Sequence, residues 1–160
     1  VNVAVADDNA VLVTRFYEAF AKGDAGGMNA CYAPDIAFSD PVFGELHGDR
    51  VRAMWAMLCS GLRDFSLTYE ILETSESVVR GRAIATYLYS ATGRTVRNEI
   101  TGTFAVAGDA IARHDDVFDL WKWSAQALGP TGRFLGWTPM VQKKIRAMAL
   151  GRLEGYIKRA

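Results

Sequence analysis

Residues 110–123 read AIARHDDVFDLWKW. With a period of two, Ala112, His114, Asp116, Phe118 and Leu120 share one face, and Ile111, Arg113, Asp115, Val117 and Asp119 share the other. The first face is mostly apolar yet carries an imidazole and a carboxylate. A strand that buries Phe118 and Leu120 takes Asp116 inward with them. A buried carboxylate is costly unless it is hydrogen-bonded, neutralised or wet. The stretch therefore predicts a strand whose inner face holds either a reactive site or a structural polar network.

The same period runs through the residues before it. Segments 65–73, 78–90 and 95–106 alternate and are rich in Val, Ile, Thr and Tyr, with turns at 91–94 and 107–109. Together with 110–120 they predict four antiparallel strands. Gly102, inside the third, predicts a bulge or a bend.

Further upstream the pattern is helical. Val11, Leu12, Val13, Phe16, Ala19 and Phe20 form the wide apolar stripe of a helix over 8–22, stopped by Gly23-Asp24. A short helix over 25–32 is expected to end at Pro34. A short strand at 36–40 follows, with a turn at Asp40-Pro41, a continuation through Val42-Phe43 and a second turn at Gly44. A helix over 50–61 points Val51, Met54, Trp55 and Leu58 inward. Three helices followed by a run of strands predict an α+β domain, helices packed on one face of a curved antiparallel sheet.

The C-terminal stretch differs. Leu128-Gly-Pro-Thr-Gly132 is a cluster of helix breakers, and Thr138 before Pro139 is a clean helix start. Gly151 and Gly155 interrupt the apolar stripe that follows, so one straight helix is not assured by pattern. The expected division is a domain over 1–123 and a helical extension of the same domain over 124–160, docked on its own subunit or on a partner's.

Composition bounds the function. The chain has 160 residues, half of them apolar, and 18 basic against 18 acidic residues. No run reaches the ~20 apolar residues of a membrane span. The opening VNVAVADDNA lacks a basic n-region, so no signal peptide is expected, and the start at Val1 suggests either a numbering that omits an initiator Met or a processed precursor. Cys31 and Cys59 have no CxxC spacing and no clustered histidines; buried free thiols are expected, no metal site, and a reducing cytoplasm. Charge is unevenly spread: residues 133–160 hold seven basic side chains and one acid, Glu154. The plain reading is a solvated helix face; the sharper ones are an anionic partner, a membrane surface or an acidic neighbouring subunit. The interleaved motifs of nucleic-acid readers are missing, so nucleic acid is not expected.

The motifs FYEAF (16–20), Gly23-Asp24, YAPD (32–35), Ser39-Asp40-Pro41, Gly48 and AIARHDDVFD (110–119) resemble the nuclear-transport-factor-2-like superfamily, and within it the SnoaL-like and ketosteroid-isomerase-like branch. The resemblance covers roughly 8–120. It implies a cone, with a bent sheet wrapped around the helices and a pocket for a small apolar molecule opening between them. It also implies a homodimer through the outer sheet face and no cofactor.

Its site residues carry over unevenly. In ketosteroid isomerases the aspartate of an Asp-Pro pair shuttles a proton between carbons, and Asp40 occupies that place. The isomerase tyrosine matches Phe16, with Tyr17 about 100° round the helix, and the second isomerase acid matches Thr101 or Gly102. In limonene-epoxide hydrolases the last-strand aspartate orients a water and matches Asp116, while the acid and arginine of the earlier strand match Ala85 and Ala83. SnoaL-type cyclases use one aspartate as acid/base, and Asp116 is its counterpart.

The resemblance thus implies Asp116 and Asp40 as catalytic groups, with His114, Tyr17, Trp55, Tyr87 and Phe118 toward the substrate and no metal. The expected chemistry is acid/base isomerisation, cyclisation or hydrolysis on a small apolar molecule. The alternative is a non-catalytic small-molecule-binding or self-associating domain, in which Asp116 is a bonded structural carboxylate and Asp40 a turn residue.

Overall fold

The computed structural model describes residues 2–160. It begins with α1 (Val3–Ala21), which buries Leu12, Val13, Phe16, Tyr17 and Ala19 on one side. The helix starts five residues earlier than expected, where the Asn2 side chain accepts from Val5 N–H. The Asp24 carboxylate caps α2 (Ala25–Ala30) by accepting from Gly27 N–H at 2.9 Å.

Helix α2 ends before Tyr32, and Pro34 lies inside a strand instead of terminating a helix. Strand β1 spans Tyr32–Asp40. Its register against the neighbouring strand shifts between Tyr32 and Ala37, so the proline sits where the ladder is already interrupted. The Arg52 guanidinium serves the carbonyls there, donating to Ala33 O at 2.8 Å and Pro34 O at 3.1 Å. The chain then turns at Pro41–Phe43 and returns as β2 (Gly44–His47), a strand the sequence reading placed as a continuation and a second turn. The cause is Asp40, whose Oδ1 accepts from Val42 N–H at 2.9 Å and Phe43 N–H at 2.6 Å and folds the backbone back.

Helix α3 (Asp49–Ser60) buries Val51, Met54 and Trp55. Strands β3 (Ser66–Thr74), β4 (Val78–Tyr89), β5 (Arg94–Ala107) and β6 (Ala110–Val117) follow. The sheet has six strands in the order β2-β1-β6-β5-β4-β3. All neighbours are antiparallel except β1 and β6, which run parallel. The β4–β5 ladder passes straight through Gly81 opposite Gly102, so Gly102 is neither a bulge nor a bend. The shift in β5–β6 falls instead between Ala105 and Val106.

Strand β6 ends at Val117, three residues early. Asp119 accepts from Lys122 N–H at 3.0 Å and starts α4 (Leu120–Ala127), so Leu120 and Trp123 are buried by a helix face and not by a strand face. The breaker cluster contains α5 (Pro130–Leu135), which begins just after Gly129 at φ +66°. Helix α6 (Pro139–Arg159) starts at the Thr138 cap and runs unbroken through Gly151 and Gly155. It docks on its own subunit: Leu153 enters the main core, Arg50 pairs with Glu154, and Arg146 Nε donates to Pro41 O at 2.8 Å.

Two apolar clusters result. The larger fills the cone between α1, α3 and the sheet around Phe16, Phe38, Trp55 and Phe104. The smaller joins Val96, Leu120, Trp123 and Ala127, with Val42, Tyr87, Phe118 and Ile145 packed against it.

Candidate functional site

Strand β6 sends His114 and Asp116 inward, as their spacing requires, and β1 and α3 supply the partners. Trp55 Nε1–H donates to the Tyr32 hydroxyl at 2.9 Å. That hydroxyl lies 2.7 Å from His114 Nδ1, and His114 Nε2 lies 2.7 Å from Asp116 Oδ1. One arrangement of protons satisfies every group. Tyr32 accepts from the indole and donates to Nδ1, and Nε2–H donates to the carboxylate. The imidazole is 1 % exposed, its ring stacked on Phe104 at 4.1 Å between centroids and met edge-on by Phe16 and Phe38. Burial and the Asp116 charge push the Tyr32 phenol well up, so it stays a donor.

Asp116 is 9 % exposed and stands opposite Gly102 on β5. The glycine is explained by what surrounds it. A Cβ there would lie 3.0 Å from Tyr17 Oη and 3.1 Å from Asp116 Oδ1, and a Cβ on its partner Gly81 would lie 2.7 Å from Tyr17 Oη. Two facing glycines thus cradle the end of Tyr17 beside Asp116. Burial, and then the Asp116 charge, push the Tyr17 phenol far above its ordinary range. Phe16, the aligned match to the isomerase tyrosine, is fully enclosed core; the phenol that reaches the acid is Tyr17.

Asp40 caps its own turn through Oδ1. Burial raises its pKa to about 6, opposed by the Phe43 and Val42 N–H groups and reinforced by Asp116. Asp116 therefore acts electrostatically on both Asp40 and Tyr17.

Among the described residues, Asn29 Oδ1 is the one fully enclosed side-chain polar atom without a hydrogen-bond partner. The second oxygens of Asp40 and Asp116 and the Tyr17 hydroxyl also lack protein partners. None of these three oxygens is then fully enclosed, although Asp116 and Tyr17 are buried and Asp40 is half-buried. Asn98 is 7 % exposed on the inner face of β5 and is likewise unpartnered. The sequence reading missed it, yet it shares the period-two face of Val96, Gly102 and Phe104.

The remaining expected residues lie elsewhere. His114 and Trp55 sit behind Asp116 in the filled core and hold it. Tyr87 accepts from Trp123 Nε1–H at 2.7 Å, and together with Phe118 belongs to the second cluster. Tyr32, central to the relay, entered the sequence reading only as part of the YAPD motif. Among the described residues no group of three His, Cys, Asp or Glu side chains could hold a metal ion. Two surface clefts lie outside the cone. One of about 190 Å³ is on the outer face of β3–β4. The other, of about 520 Å³, lies between α3 and α6, lined by Met57, Met148, Arg152, Tyr156 and Arg159 among others. Neither is lined by the residues above.

Solved structures share this architecture. A provisionally assigned polyketide cyclase from Silicibacter sp. TM1040 is similar at 21 % identity and TM-score 0.66, over 73 % of this chain and 93 % of that one. TerC, co-crystallised with polyporic acid, is similar at 17 % identity and TM-score 0.65, over 76 % and 99 %. A ketosteroid isomerase-like protein from Erwinia carotovora atroseptica SCRI1043 is similar at 22 % identity and TM-score 0.60, over 72 % and 94 %. At these identities the likeness shows the fold. No curated protein matches the chain. The SnoaL-like domain model matches residues 13–114, from the α1 stripe to the relay histidine. By that match over more than half its length, the chain belongs to the SnoaL-like domain family.

Proposed function

We propose that the protein catalyses proton transfer at carbon in a small, largely apolar carbonyl compound, held in the cone between Tyr17, Asp40, Asn98 and Asp116. The observation that carries this reading is the set of three oxygens, on Asp40, Asp116 and Tyr17, that have no protein partner although Asp116 and Tyr17 are buried. A carboxyl titrating near pH 6 is matched to general-base work at neutral pH. Asp40 takes a proton from the carbon next to the carbonyl. The electron pair moves onto the carbonyl oxygen, which accepts a hydrogen bond from the Tyr17 phenol. Returning the proton to another carbon gives an isomer. Attack of the enolate carbon on a second carbonyl closes a ring, and the new alkoxide takes the proton. Asp116, oriented by His114, acts on Tyr17 through its charge and is the second acid/base group. Fold neighbours solved with polyporic acid and with trimethylamine support a cone that admits small molecules.

The test is proton–deuterium exchange in D2O on a panel of small apolar ketones and 1,3-diketones, with polyporic acid as a binding probe. Exchange is expected with wild type and is abolished in Asp40→Asn and Asp116→Asn of unchanged circular dichroism. Exchange at the wild-type rate in Asp40→Asn overturns the role of Asp40. The full pairing of the His114 relay favours a second reading, a rigid binding domain without chemistry. Melting-temperature shifts by the probe with no exchange on any ketone would select it.

A further inference from the structure

The C-terminal segment departs from the family match and from ordinary surface composition. Among the large apolar side chains that remain exposed, five fall between positions 121 and 140: Trp121 at 47 %, Phe134 at 69 %, Leu135 at 46 %, Trp137 at 59 % and Met140 at 74 %. They lie on α4, on α5, in the turn after it and on the first turn of α6, and they are tied together. Trp121 Nε1–H donates to Arg133 O at 3.0 Å and Trp137 Nε1–H to Phe134 O at 3.1 Å, and the Arg133 guanidinium stands 5.9 Å from the Phe134 ring centre. Both indoles have thus spent their one polar group inside the protein. Their exposed surfaces are wholly apolar, and leaving water costs them no hydrogen bond.

The charge around the patch is of one sign. From Leu120 to Leu153 the chain has no acid, while Lys122, Arg133, Lys143, Lys144, Arg146 and Arg152 are all basic. Among the described residues none of these six forms an ion pair: Arg146 donates to a backbone carbonyl, Arg133 faces the Phe134 ring, and Lys122 feels the charge of Glu99 without pairing with it. Exposed Trp, Phe, Leu and Met ringed by unpaired cations is the composition of a surface that lies in a lipid interface.

We infer that α4, α5 and the start of α6 dock this protein peripherally on an anionic membrane, with the Trp121–Phe134–Trp137 rings at headgroup depth and the surrounding Lys and Arg on acidic headgroups. A second copy is disfavoured by the same charges. A two-fold contact through this patch would set two acid-free cationic surfaces against each other. Contact with the acidic body of another copy would be head-to-tail and would build rings or filaments, not a two-fold dimer. No described helix is long and apolar enough to cross a bilayer, so the contact is on the surface and reversible.

The experiment is flotation and tryptophan fluorescence of the full chain with phosphatidylcholine vesicles, with and without phosphatidylglycerol. Binding and a blue shift are expected only with phosphatidylglycerol and fade with added salt. Trp55 and Trp123 are buried, so the shift reports Trp121 and Trp137. Lys143→Gln with Lys144→Gln should weaken binding about thirty-fold, and Phe134→Ser with Trp137→Ser should abolish the blue shift, both with wild-type melting temperatures. Absence of binding to either vesicle overturns the inference, as does equal binding to both. So does a dimer in solution that Phe134→Ser with Trp137→Ser dissolves, which would assign the patch to a second copy.

Discussion

The cone interior and the C-terminal segment break the usual partition of side chains in opposite directions. Inside, an imidazole, a carboxylate, an amide and two phenols are buried with Phe16, Phe38 and Phe104, and a second carboxylate, Asp40, is half-buried. Outside, two indoles, a phenyl ring and a methionine stand in water among cations. The interior exceptions are answered within the molecule: Trp55, Tyr32, His114 and Asp116 pair in sequence, and only the last oxygens are left over. The exterior exceptions are not answered by the chain at all. A misplaced group that the fold itself satisfies is bound into stability, and one left unsatisfied is reserved for something else. By that measure the groups proposed for function are the unpartnered oxygens of Asp40, Asp116 and Tyr17 and the exposed rings, and not the relay as a whole.

This contrast can be broken by substitution. The largest effect is expected from His114→Ala, which strands Asp116 and the Tyr32 hydroxyl and opens a gap against Phe104. A loss of about 3–5 kcal/mol in denaturant unfolding is expected, and a loss below about 1 kcal/mol would mean that the relay is not structural. Next is Asp40. Its folded pKa is raised, so the stability it contributes is complete below about pH 4 and is lost as pH rises through about 6. Asp40→Asn keeps an acceptor for Val42 and Phe43, and should exceed wild type by about 2 kcal/mol at pH 7, with the advantage vanishing by pH 4. A difference that does not vary with pH would place Asp40 in water. Gly81→Ala drives a methyl group into Tyr17 and should cost about 1–2 kcal/mol. Phe134→Ser sits at the other extreme, within about 0.5 kcal/mol of wild type, because the ring is exposed and gives up little beyond its contact with the Arg133 guanidinium.

Legibility in the sequence followed the range of the interactions. Strands β3 to β6 were readable because period-two burial is local, and Asp116 was drawn inward by its neighbours at two-residue spacing. Thr138-Pro139 announced α6 through cap chemistry confined to one turn. What escaped depended on distant partners. The pairing of β1 with β6 has no local signature, so Pro34 read as a stop and β2 as a turn. Gly102 read as a backbone device, because the ring that needs its missing side chain comes from α1. Aligned position pointed to Phe16, and only the packing of α1 brings Tyr17 to the acid. The segment after Val117 failed for another reason. Leu120, Trp123, Ser124 and Ala127 lie at helical spacing, but the alternating run before them masked the change of period at Asp119.

The parallel pairing of β1 with β6 also governs when this molecule can become competent. Ser39 is matched to Asp115, across 76 positions of chain, so the residues that follow them, Asp40 and Asp116, are brought to the same end of the cone by one long-range ladder. Closing so large a loop must precede any reward from the contacts within it, which places this ladder among the slow events of folding. On a ribosome neither acid can meet the other until β6 has emerged. A nascent chain cut short before residue 110 would hold α1 to α3 and most of the sheet, yet carry no relay and only half of its site.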